Sequence, residues 1–382
     1  MQQFIDIIDS NDYKKINSSL KAIVEYRKSG LSLNHIIGCP LDCSYCVRHL
    51  FGNFDQRIPK ALYSDEEAVS ILINHKYFQK DITPIQLFNR ATDPMLPKVK
   101  KHTHNVLFLL DELGLKNNVI LITRWKVTDD DCRRFNNLKN IKLTIFVTYS
   151  GIDNSEIEPV KSAVAAKSLK VLFKNSTGYK VILYWRPIIP GINDTQASLK
   201  KVRALAKNAH STVFSGLFYR DEISKYYKKN KLPEPYKDTM RRKILPEQTE
   251  EKILSFFNSG KNPVPLFRKT SCGIANAHQQ ADYNGHYGIR ELCDICPKEQ
   301  VGRCQEKWHA PEKEAVITLC ERLGATSPPL ITEKAIIVEG LDEQNRYFLQ
   351  HTFQYQVHDA EKPHYYRQHG RAETGWTKND EK

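Results

Sequence analysis

The sequence predicts an α/β protein built on a partial (β/α)6 barrel, and two observations support this prediction. Apolar segments of strand length alternate with amphipathic segments of helix length over roughly the first 220 residues. This alternation is typical of a parallel sheet with right-handed crossovers. We count about six strand–helix units, so we expect a barrel that is open on one side rather than a complete eight-fold barrel.

Composition and charge set the outer limits. The 382 residues are 40% hydrophobic, which is enough for a substantial core. The first residues lack a basic region followed by an apolar one, and no apolar run has the length of a membrane span, so we expect a cytoplasmic protein with no membrane segment. The net charge of +13 indicates an anionic partner, with nucleic acid the first candidate and an anionic membrane surface the second. A basic surface that only aids solubility is the alternative.

The elements follow in order along the chain. Residues 1–30 are expected to form an N-terminal cap with short helical pieces, and residues 31–260 the core barrel. A strand at 31–38 delivers a cysteine-rich loop, and the capping-box pattern from Ser64 to Glu67 begins a helix. Further strands are predicted at 84–88, 119–123, 143–147, 180–185 and 212–214, and further helices at 106–113, 129–135, 199–206 and 246–257.

The loop after the first predicted strand contains Cys39, Cys43 and Cys46, spaced C-x3-C-x2-C. Short loops can turn three such thiols toward one point, and thiolates bind zinc, copper(I) or iron–sulfur clusters. Zinc sites and ordinary ferredoxin clusters use four protein ligands, so one coordination position is open here. The alternatives are a zinc site completed by His35 or His49, or three buried thiols. The nine cysteines fall mostly into two groups, which favours reduced metal ligands over disulfides.

This spacing, with the aromatic Tyr45 before the third cysteine, resembles the motif of the radical S-adenosylmethionine (radical SAM) superfamily. The resemblance implies a radical SAM barrel in which Cys39, Cys43 and Cys46 hold three irons of a [4Fe–4S] cluster. It implies that the amine and carboxylate of S-adenosylmethionine chelate the fourth iron. It further implies an external electron donor of the flavodoxin or ferredoxin type and reductive cleavage to a 5′-deoxyadenosyl radical.

Four later pieces of sequence resemble the spore photoproduct lyase-like branch of that superfamily, over roughly residues 32–220. They are T-D-P-x-x-P at 92–97, T-R-x-K at 123–126, Glu158-Pro159, and P-I-I-P-G-I-N-D at 187–194. One feature departs from the lyase, whose hydrogen-donating cysteine follows soon after the cluster loop. No cysteine lies between Cys46 and Cys132, and Cys132 is predicted on a helix as a structural residue. We therefore do not expect thymine-dimer reversal, and Tyr149 becomes the candidate hydrogen-atom donor.

Polar residues that directly follow the predicted strands are the candidate contacts to S-adenosylmethionine. The carboxyl ends of parallel strands meet at one edge of the sheet, where ligands bind. Arg124 or Lys126 is expected to neutralise the carboxylate, and arginine offers the better fork. For each residue the alternative is a turn position or a salt bridge at the barrel mouth. The predicted cofactor contacts are Tyr45, Thr92, Asp93, Arg124, Thr148, Ser150 and Arg186.

A second cysteine group in residues 261–310 predicts a closed metal site. Its members are Cys272, Cys293, Cys296 and Cys304, which make a complete set of four ligands. Only one CxxC pair is present, and a proline follows Cys296 as in ferredoxin loops, so we favour an auxiliary [4Fe–4S] cluster over zinc. His278 or His286 is an alternative ligand.

Two segments of the second half bear on the partner. Residues 225–231, 236–237 and 241–243 interleave basic and aromatic side chains, as in surfaces that neutralise phosphates and stack on bases. A solvated linker is the alternative. Residues 311–382 are predicted to form a helix at 314–323 and a β-hairpin at 335–357, compatible with a small winged nucleic-acid-binding unit or a plain β-cap. A tail from residue 361 is predicted to be disordered or ordered only on binding.

The favoured hypothesis is a radical SAM enzyme that abstracts a hydrogen atom from a nucleic-acid or nucleotide substrate. The alternatives are the same chemistry on a peptide or small metabolite, or a non-catalytic iron–sulfur protein that binds nucleic acid.

Overall fold

The computed structural model describes residues 5–237, 245–259 and 263–361. The strands are β1 Val24–Arg27, β2 Gly30–Leu33, β3 Ile36–Ile37, β4 Lys60–Ala61, β5 Ile85–Leu87, β6 Asn118–Thr123, β7 Lys142–Tyr149, β8 Lys180–Ile188, β9 Ser211–Gly216, β10 Leu266–Phe267, β11 Leu330–Ile331, β12 Ile336–Val338 and β13 Val357–Asp359. The helices are α1 Ser10–Lys15, α2 Ser18–Lys21, α3 Asp65–Ile73, α4 Lys100–Glu112, α5 Asp129–Asn136, α6 Ser162–Asn175, α7 Gln196–Ala206, α8 Asp221–Lys229, α9 Glu247–Asn258, α10 Thr270–Ala277, α11 Arg290–Cys293, α12 Lys298–Lys307, α13 Lys313–Arg322 and α14 Glu343–Phe353. A 3₁₀ helix spans Val47–Phe51.

The centre of the molecule is an eight-stranded sheet in the order β1-β2-β5-β6-β7-β8-β9-β10. From β2 onward each strand pairs in parallel with its next neighbour in this order, whereas β1 pairs with β2 in the antiparallel direction. Within the described residues no pairing joins β1 to β10, so the order is that of a barrel left open on one side. The predicted α/β class and partial barrel are confirmed.

Most predicted elements lie where the sequence pattern placed them. The capping box at Ser64 forms, and the Glu67 carboxylate accepts a hydrogen bond from the Ser64 backbone amide. The pattern missed strand β1 and helix α6. Strand β1 lies within the predicted cap, and its hairpin with β2 crosses the predicted boundary at residue 30.

No helix in the described part of the chain is long and apolar enough to cross a membrane.

Alternate residues of the central strands face two different apolar clusters. Val119, Ile145 and Val181 pack toward the helices, while Ile120 and Phe146 belong to a second cluster inside the barrel. This is the expected consequence of the two-residue period of a strand. Residues of the same parity as Ile120 and Phe146 at the carboxyl ends of these strands therefore point into the barrel mouth.

Helix α10 closes the opposite end of the barrel. His278, just after it, bonds Thr144 at 2.8 Å, and Asn276 donates to Ser211 at 2.8 Å. Both partners lie at the amino-terminal ends of their strands. The segment that carries the second cysteine group thus begins at the base of the barrel, away from the mouth.

The C-terminal region differs from the prediction. Residues 343–353 form helix α14 instead of a hairpin strand, with Asp342 accepting a hydrogen bond from the Asn345 amide at its N-terminus. Strands β12 and β13 on either side are parallel, so the unit is a β–α–β arrangement and the predicted hairpin is wrong. Helix α14 packs against β1 through Tyr26 and His351, whose side chains are 3.0 Å apart. The tail from 362 lies outside the described residues.

A buried carboxylate joins the first two layers of the fold. Asp65, at the start of α3, bonds His35 at 2.8 Å, His102 at 3.0 Å and Asn105 at 2.9 Å. These partners come from the segment after β2 and from helix α4. A buried polar group with several partners leaves all of them unsatisfied when it is removed.

We therefore expect Asp65→Ala to lower the free energy of unfolding by about 3 kcal/mol, measured by urea denaturation. Asp130→Ala is the matched control, because Asp130 is exposed and its ion pairs with Arg133 and Arg134 lie on the surface. Its cost should stay within about 1 kcal/mol. Equal effects of the two variants would contradict the structural role assigned to Asp65.

Candidate active site

A pocket of about 120 Å³ opens at the carboxyl ends of the parallel strands. Its wall combines the cysteine loop with the polar ends of β5 through β8. The predicted residues that line it are Cys39, Cys43, Cys46, Tyr45, Thr92, Asp93, Arg124, Thr148 and Arg186. The structure thus brings the cysteine triple together with most of the predicted cofactor contacts.

The conformation of the cysteine loop is fixed by contacts to backbone atoms. Gly38 has φ of +98°, and a β-carbon there would lie 2.3 Å from the Ile58 carbonyl oxygen, so only glycine fits. The buried guanidinium of Arg48 donates to four carbonyl groups of the loop and the segment after it, those of Leu41, Asn53, Phe54 and Gln56, at 3.0–3.2 Å. Arg48 therefore replaces regular secondary structure in fixing the loop.

Two thiols of the loop, those of Cys39 and Cys43, are buried, and Cys46 is half-buried. Burial raises the pKa of Cys39 to about 11, and burial likewise raises the pKa of Cys43 well above its usual value. A positively charged metal centre would favour the thiolate form. The pocket also contains buried polar atoms without a hydrogen-bond partner in the described residues, Thr92 Oγ1 and Asn89 Oδ1. These features fit an iron–sulfur cluster with a polar ligand beside it.

Arg124 belongs to a buried ionic group next to the cysteines. Its Nη1 lies 2.7 Å from Oε2 of Glu158, and it donates to the hydroxyl of Tyr45, which in turn donates to Glu158. The other oxygen of Glu158 is 3.8 Å from the sulfur of Cys43. In the sequence, Glu158 stands out only through the family resemblance, because nothing local indicates a partner 34 residues away.

Asp93 accepts three hydrogen bonds from the protein itself. Its donors are the Thr123 hydroxyl at 2.6 Å and the amides of Arg124 and Met95, each at 2.9 Å. Burial raises the pKa of its carboxyl group. Asp93 therefore ties the end of β5 to the end of β6, in addition to lining the pocket. Lys126, the other cation considered for the cofactor carboxylate, is exposed and is not among the pocket-lining residues.

Two predicted residues lie apart from the pocket. Tyr149 follows Thr148 on β7 and, because side chains alternate, points to the opposite face, where it is buried in the cluster that packs against the helices. The geometry gives its predicted role as hydrogen-atom donor no support. Ser150 is buried in the turn after β7, where its hydroxyl accepts from the Ile152 amide at 3.2 Å. Cys132 is buried in α5, as expected for a structural residue.

The basic and aromatic segment begins as helix α8, beside the cysteine loop. Tyr227 is buried and its hydroxyl accepts from Ser44 at 2.9 Å, while Tyr226 packs on His49 with ring centroids 4.7 Å apart. Tyr227 is therefore a packing residue that is not available to stack on bases, whereas Tyr226 is half-buried. Lys225, Lys228 and Lys229 are exposed on the other face of α8, and residues 241–243 lie outside the described residues.

The second cysteine group surrounds a compact polar cluster. Asp282 Oδ1 and His286 Nδ1 lie 4.0 and 3.9 Å from the sulfur of Cys272. Cys304 accepts hydrogen bonds from the Asp282 amide at 3.4 Å and from the buried Gln300 amide at 3.3 Å. Burial, then nearby negative charge that includes the sulfurs of Cys293 and Cys304, raises the pKa of Cys296 to about 12. Cys272, Cys293 and Cys304 therefore all contact the segment from Asp282 to His286.

Comparison with known proteins gives structural matches only. No protein-family model matches the chain, and no curated protein matches its sequence. A double mutant of spore photoproduct lyase, solved with bound AdoMet and dinucleoside spore photoproduct, matches with a TM-score of 0.50 and 12% identity, covering 66% of this chain and 80% of that one. A single mutant of the same lyase matches with a TM-score of 0.49 and 11% identity, covering 66% and 78%. SuiB of Streptococcus suis bound to S-adenosylmethionine matches with a TM-score of 0.43 and 13% identity, covering 75% and 63%.

The match at the higher TM-score shows that the described chain has the fold of spore photoproduct lyase. The predicted resemblance is confirmed at the level of the fold.

A double-mutant cycle tests the buried ionic group. Glu158→Gln should lower the free energy of unfolding by about 3 kcal/mol, because it leaves the Arg124 guanidinium buried without its counter-charge. Arg124→Met should have a similar cost, and the double variant should cost clearly less than the sum, with a coupling of about 2 kcal/mol. Denaturant unfolding of the four proteins gives these values.

The exposed pair of Arg57 and Asp42, 3.1 Å apart near the same loop, is the control. Its coupling should be below about 1 kcal/mol. Additive effects of the Glu158 and Arg124 substitutions would show that the two side chains do not depend on each other.

Proposed function

We propose that this protein is a radical SAM enzyme that abstracts a hydrogen atom from a nucleic-acid or nucleotide substrate. The observation that supports it most directly is the convergence of Cys39, Cys43 and Cys46 on one pocket whose other walls are polar strand ends. Three protein thiolates leave one coordination position for a ligand, and the pocket provides the polar surroundings that such a ligand needs.

When bound, the cluster and S-adenosylmethionine supply one-electron cleavage of the sulfonium to a 5′-deoxyadenosyl radical. The residues of the chain bind and orient S-adenosylmethionine. The Thr92 hydroxyl, which has no partner in the described residues, is placed to bond the amine or the ribose. Arg124 keeps further N–H donors for a carboxylate beside its bond to Glu158. Tyr45, beneath the guanidinium at 5.3 Å, offers an apolar face within the pocket.

The charge of the protein supports an anionic polymer or nucleotide as substrate. The net charge is +13, and the exposed lysines of α8 lie on an element that packs against the cysteine loop. The neighbour of similar fold was solved with a dinucleoside lesion. The residues that line the pocket include no cysteine apart from the three of the loop, so the hydrogen-returning step of the lyase is not part of the proposal.

The second cysteine group is proposed to hold an auxiliary [4Fe–4S] cluster. In the described residues, the group of three or more Cys, His, Asp or Glu donors within 4.8 Å of one another is Cys272, Asp282 and His286. Thiolates around one tetrahedral zinc, at 2.3 Å each, would lie about 3.8 Å apart. In the described residues no three of the four cysteines form such a group, which suits a cluster of several irons, whereas a single zinc would take the Cys272, Asp282 and His286 group instead.

Turnover is tested under anaerobic conditions. After cluster reconstitution and dithionite reduction, the wild type should form 5′-deoxyadenosine from S-adenosylmethionine, and Cys43→Ala should form none above background. Addition of DNA or RNA should raise the yield for the polymer that contains the substrate. Cys132→Ala is the control, because that buried thiol lies on α5, and it should retain product formation. A fully loaded wild type without product would refute the enzyme proposal, and product indifferent to every nucleic acid would favour a peptide or metabolite.

Metal analysis tests the auxiliary site. The wild type should hold roughly eight irons per chain, and the Cys293→Ala/Cys296→Ala variant roughly four. Cys320→Ala, in α13, is the matched control and should keep both clusters. The alternative outcome is one zinc per chain that the Cys293→Ala/Cys296→Ala variant keeps and His286→Ala loses. That result would assign a zinc site to Cys272, Asp282 and His286.

A further inference from the structure

Two inward-facing polar side chains on β8 and β9 lack partners in the described residues. Arg186 lines the pocket, and no hydrogen-bond acceptor or acidic partner is found for it in the described part of the chain. Its guanidinium stacks on the ring of Tyr184 at 4.8 Å, which fixes its direction without neutralising its charge. A half-buried arginine has lost part of its hydration and gains most from an anion.

Ser215 lies beside it on the next strand. The residue is 8% exposed, and its Oγ has no hydrogen-bond partner within the described residues. Val213 belongs to the cluster inside the barrel, so Ser215 also faces inward. The register pairs Trp185 with Phe214 and, after an irregularity in β8, Ile188 with Gly216, so Ser215 lies opposite the segment of Arg186 and Pro187. A buried hydroxyl without a partner carries a free-energy cost that a ligand would remove.

Arg186 and Ser215 lie apart from Arg124, the cation next to the cysteine loop. Arg124 ends β6 and, through Glu158, contacts Cys43. Arg186 lies on β8, two strand spacings further around the barrel, roughly 10 Å away. A small cofactor carboxylate held at the cysteine loop would be bound at Arg124, which leaves Arg186 for another anion.

We infer that Arg186 and Ser215 form a subsite for one phosphate group of the substrate. A guanidinium presents paired N–H donors that match two phosphate oxygens, and the serine hydroxyl supplies a donor to a third. This inference rests on the proposed function and narrows it, because it requires the substrate to carry a phosphate near the reacting atom. A carboxylate of an acidic peptide would use the same donors, and the experiment separates the two sources.

The test measures the affinity of reconstituted full-length protein for three probes: a labelled single-stranded deoxyoligonucleotide, the same oligonucleotide with methylphosphonate linkages, and an acidic peptide of similar length. Arg186→Gln should weaken binding of the natural oligonucleotide at least about tenfold, and Ser215→Ala a few-fold. The methylphosphonate oligonucleotide should bind the wild type and Arg186→Gln nearly equally, because it lacks the charge that Arg186 recognises. Binding of S-adenosylmethionine, measured separately by calorimetry, should change less than about twofold.

Arg133→Gln removes one positive charge from an exposed position on α5 and serves as the control for general electrostatics. It should leave the oligonucleotide affinity within about twofold. Weaker binding of S-adenosylmethionine by Arg186→Gln would assign that residue to the cofactor and overturn the inference. Failure of the wild type to bind the oligonucleotide, or an Arg186 effect confined to the peptide, would overturn it as well, while cysteine-dependent 5′-deoxyadenosine formation would still decide the enzyme proposal.

Discussion

The buried ion pair between Arg124 and Glu158 is the interaction on which the geometry of the pocket depends. It joins the end of β6 to the segment after β7, and through Tyr45 and Cys43 it reaches the cysteine loop. These three segments belong to three different units of the barrel, those that begin with β2, β6 and β7. A buried pair of this kind stabilises little compared with apolar packing, but it strongly disfavours arrangements that separate the charges. It therefore fixes the relative positions of a sulfur ligand, a cation and an aromatic ring.

Much of the fold could be predicted from hydrophobic periodicity, because the core strands and their helices have long, regular patterns of apolar residues. The strand at 119–123 and the helix at 129–135 are examples: each has a buried face and clear boundaries, such as the capping threonine before α5. The prediction of a hairpin strand at 343–353 was wrong for a physical reason. Tyr347, Phe348 and Phe353 favour strands in isolation, yet their spacing also fits a helix, and packing of α14 against β1 decides between the two.

The candidate site was predictable to the extent that its residues follow strands. The cysteine triple, Thr92, Arg124 and Arg186 all lie just after apolar runs, and parallel strands bring their carboxyl ends together. The contacts that distinguish these residues were not predictable. Asp93 is bound by three donors of the protein and Glu158 contacts a cysteine far along the chain, and both facts depend on the three-dimensional arrangement. Likewise, the tyrosines of α8 resemble a stacking surface in sequence, yet both contact the loop, with Tyr227 buried and Tyr226 half-buried.

The two cysteine groups sit at opposite ends of one barrel. Helix α10 touches the strands where they begin, the pocket forms where they end, and an apolar layer that includes Phe146 and Tyr184 lies between. Changes in the loops of the mouth can alter ligand selectivity over evolution while the base stays constant. Conversely, oxidation of the cysteines at the base would loosen the starting points of β7 and β9 first. Damage there would reach the pocket through the strands themselves, as a change in their alignment, without any contact between the damaged thiols and a bound ligand.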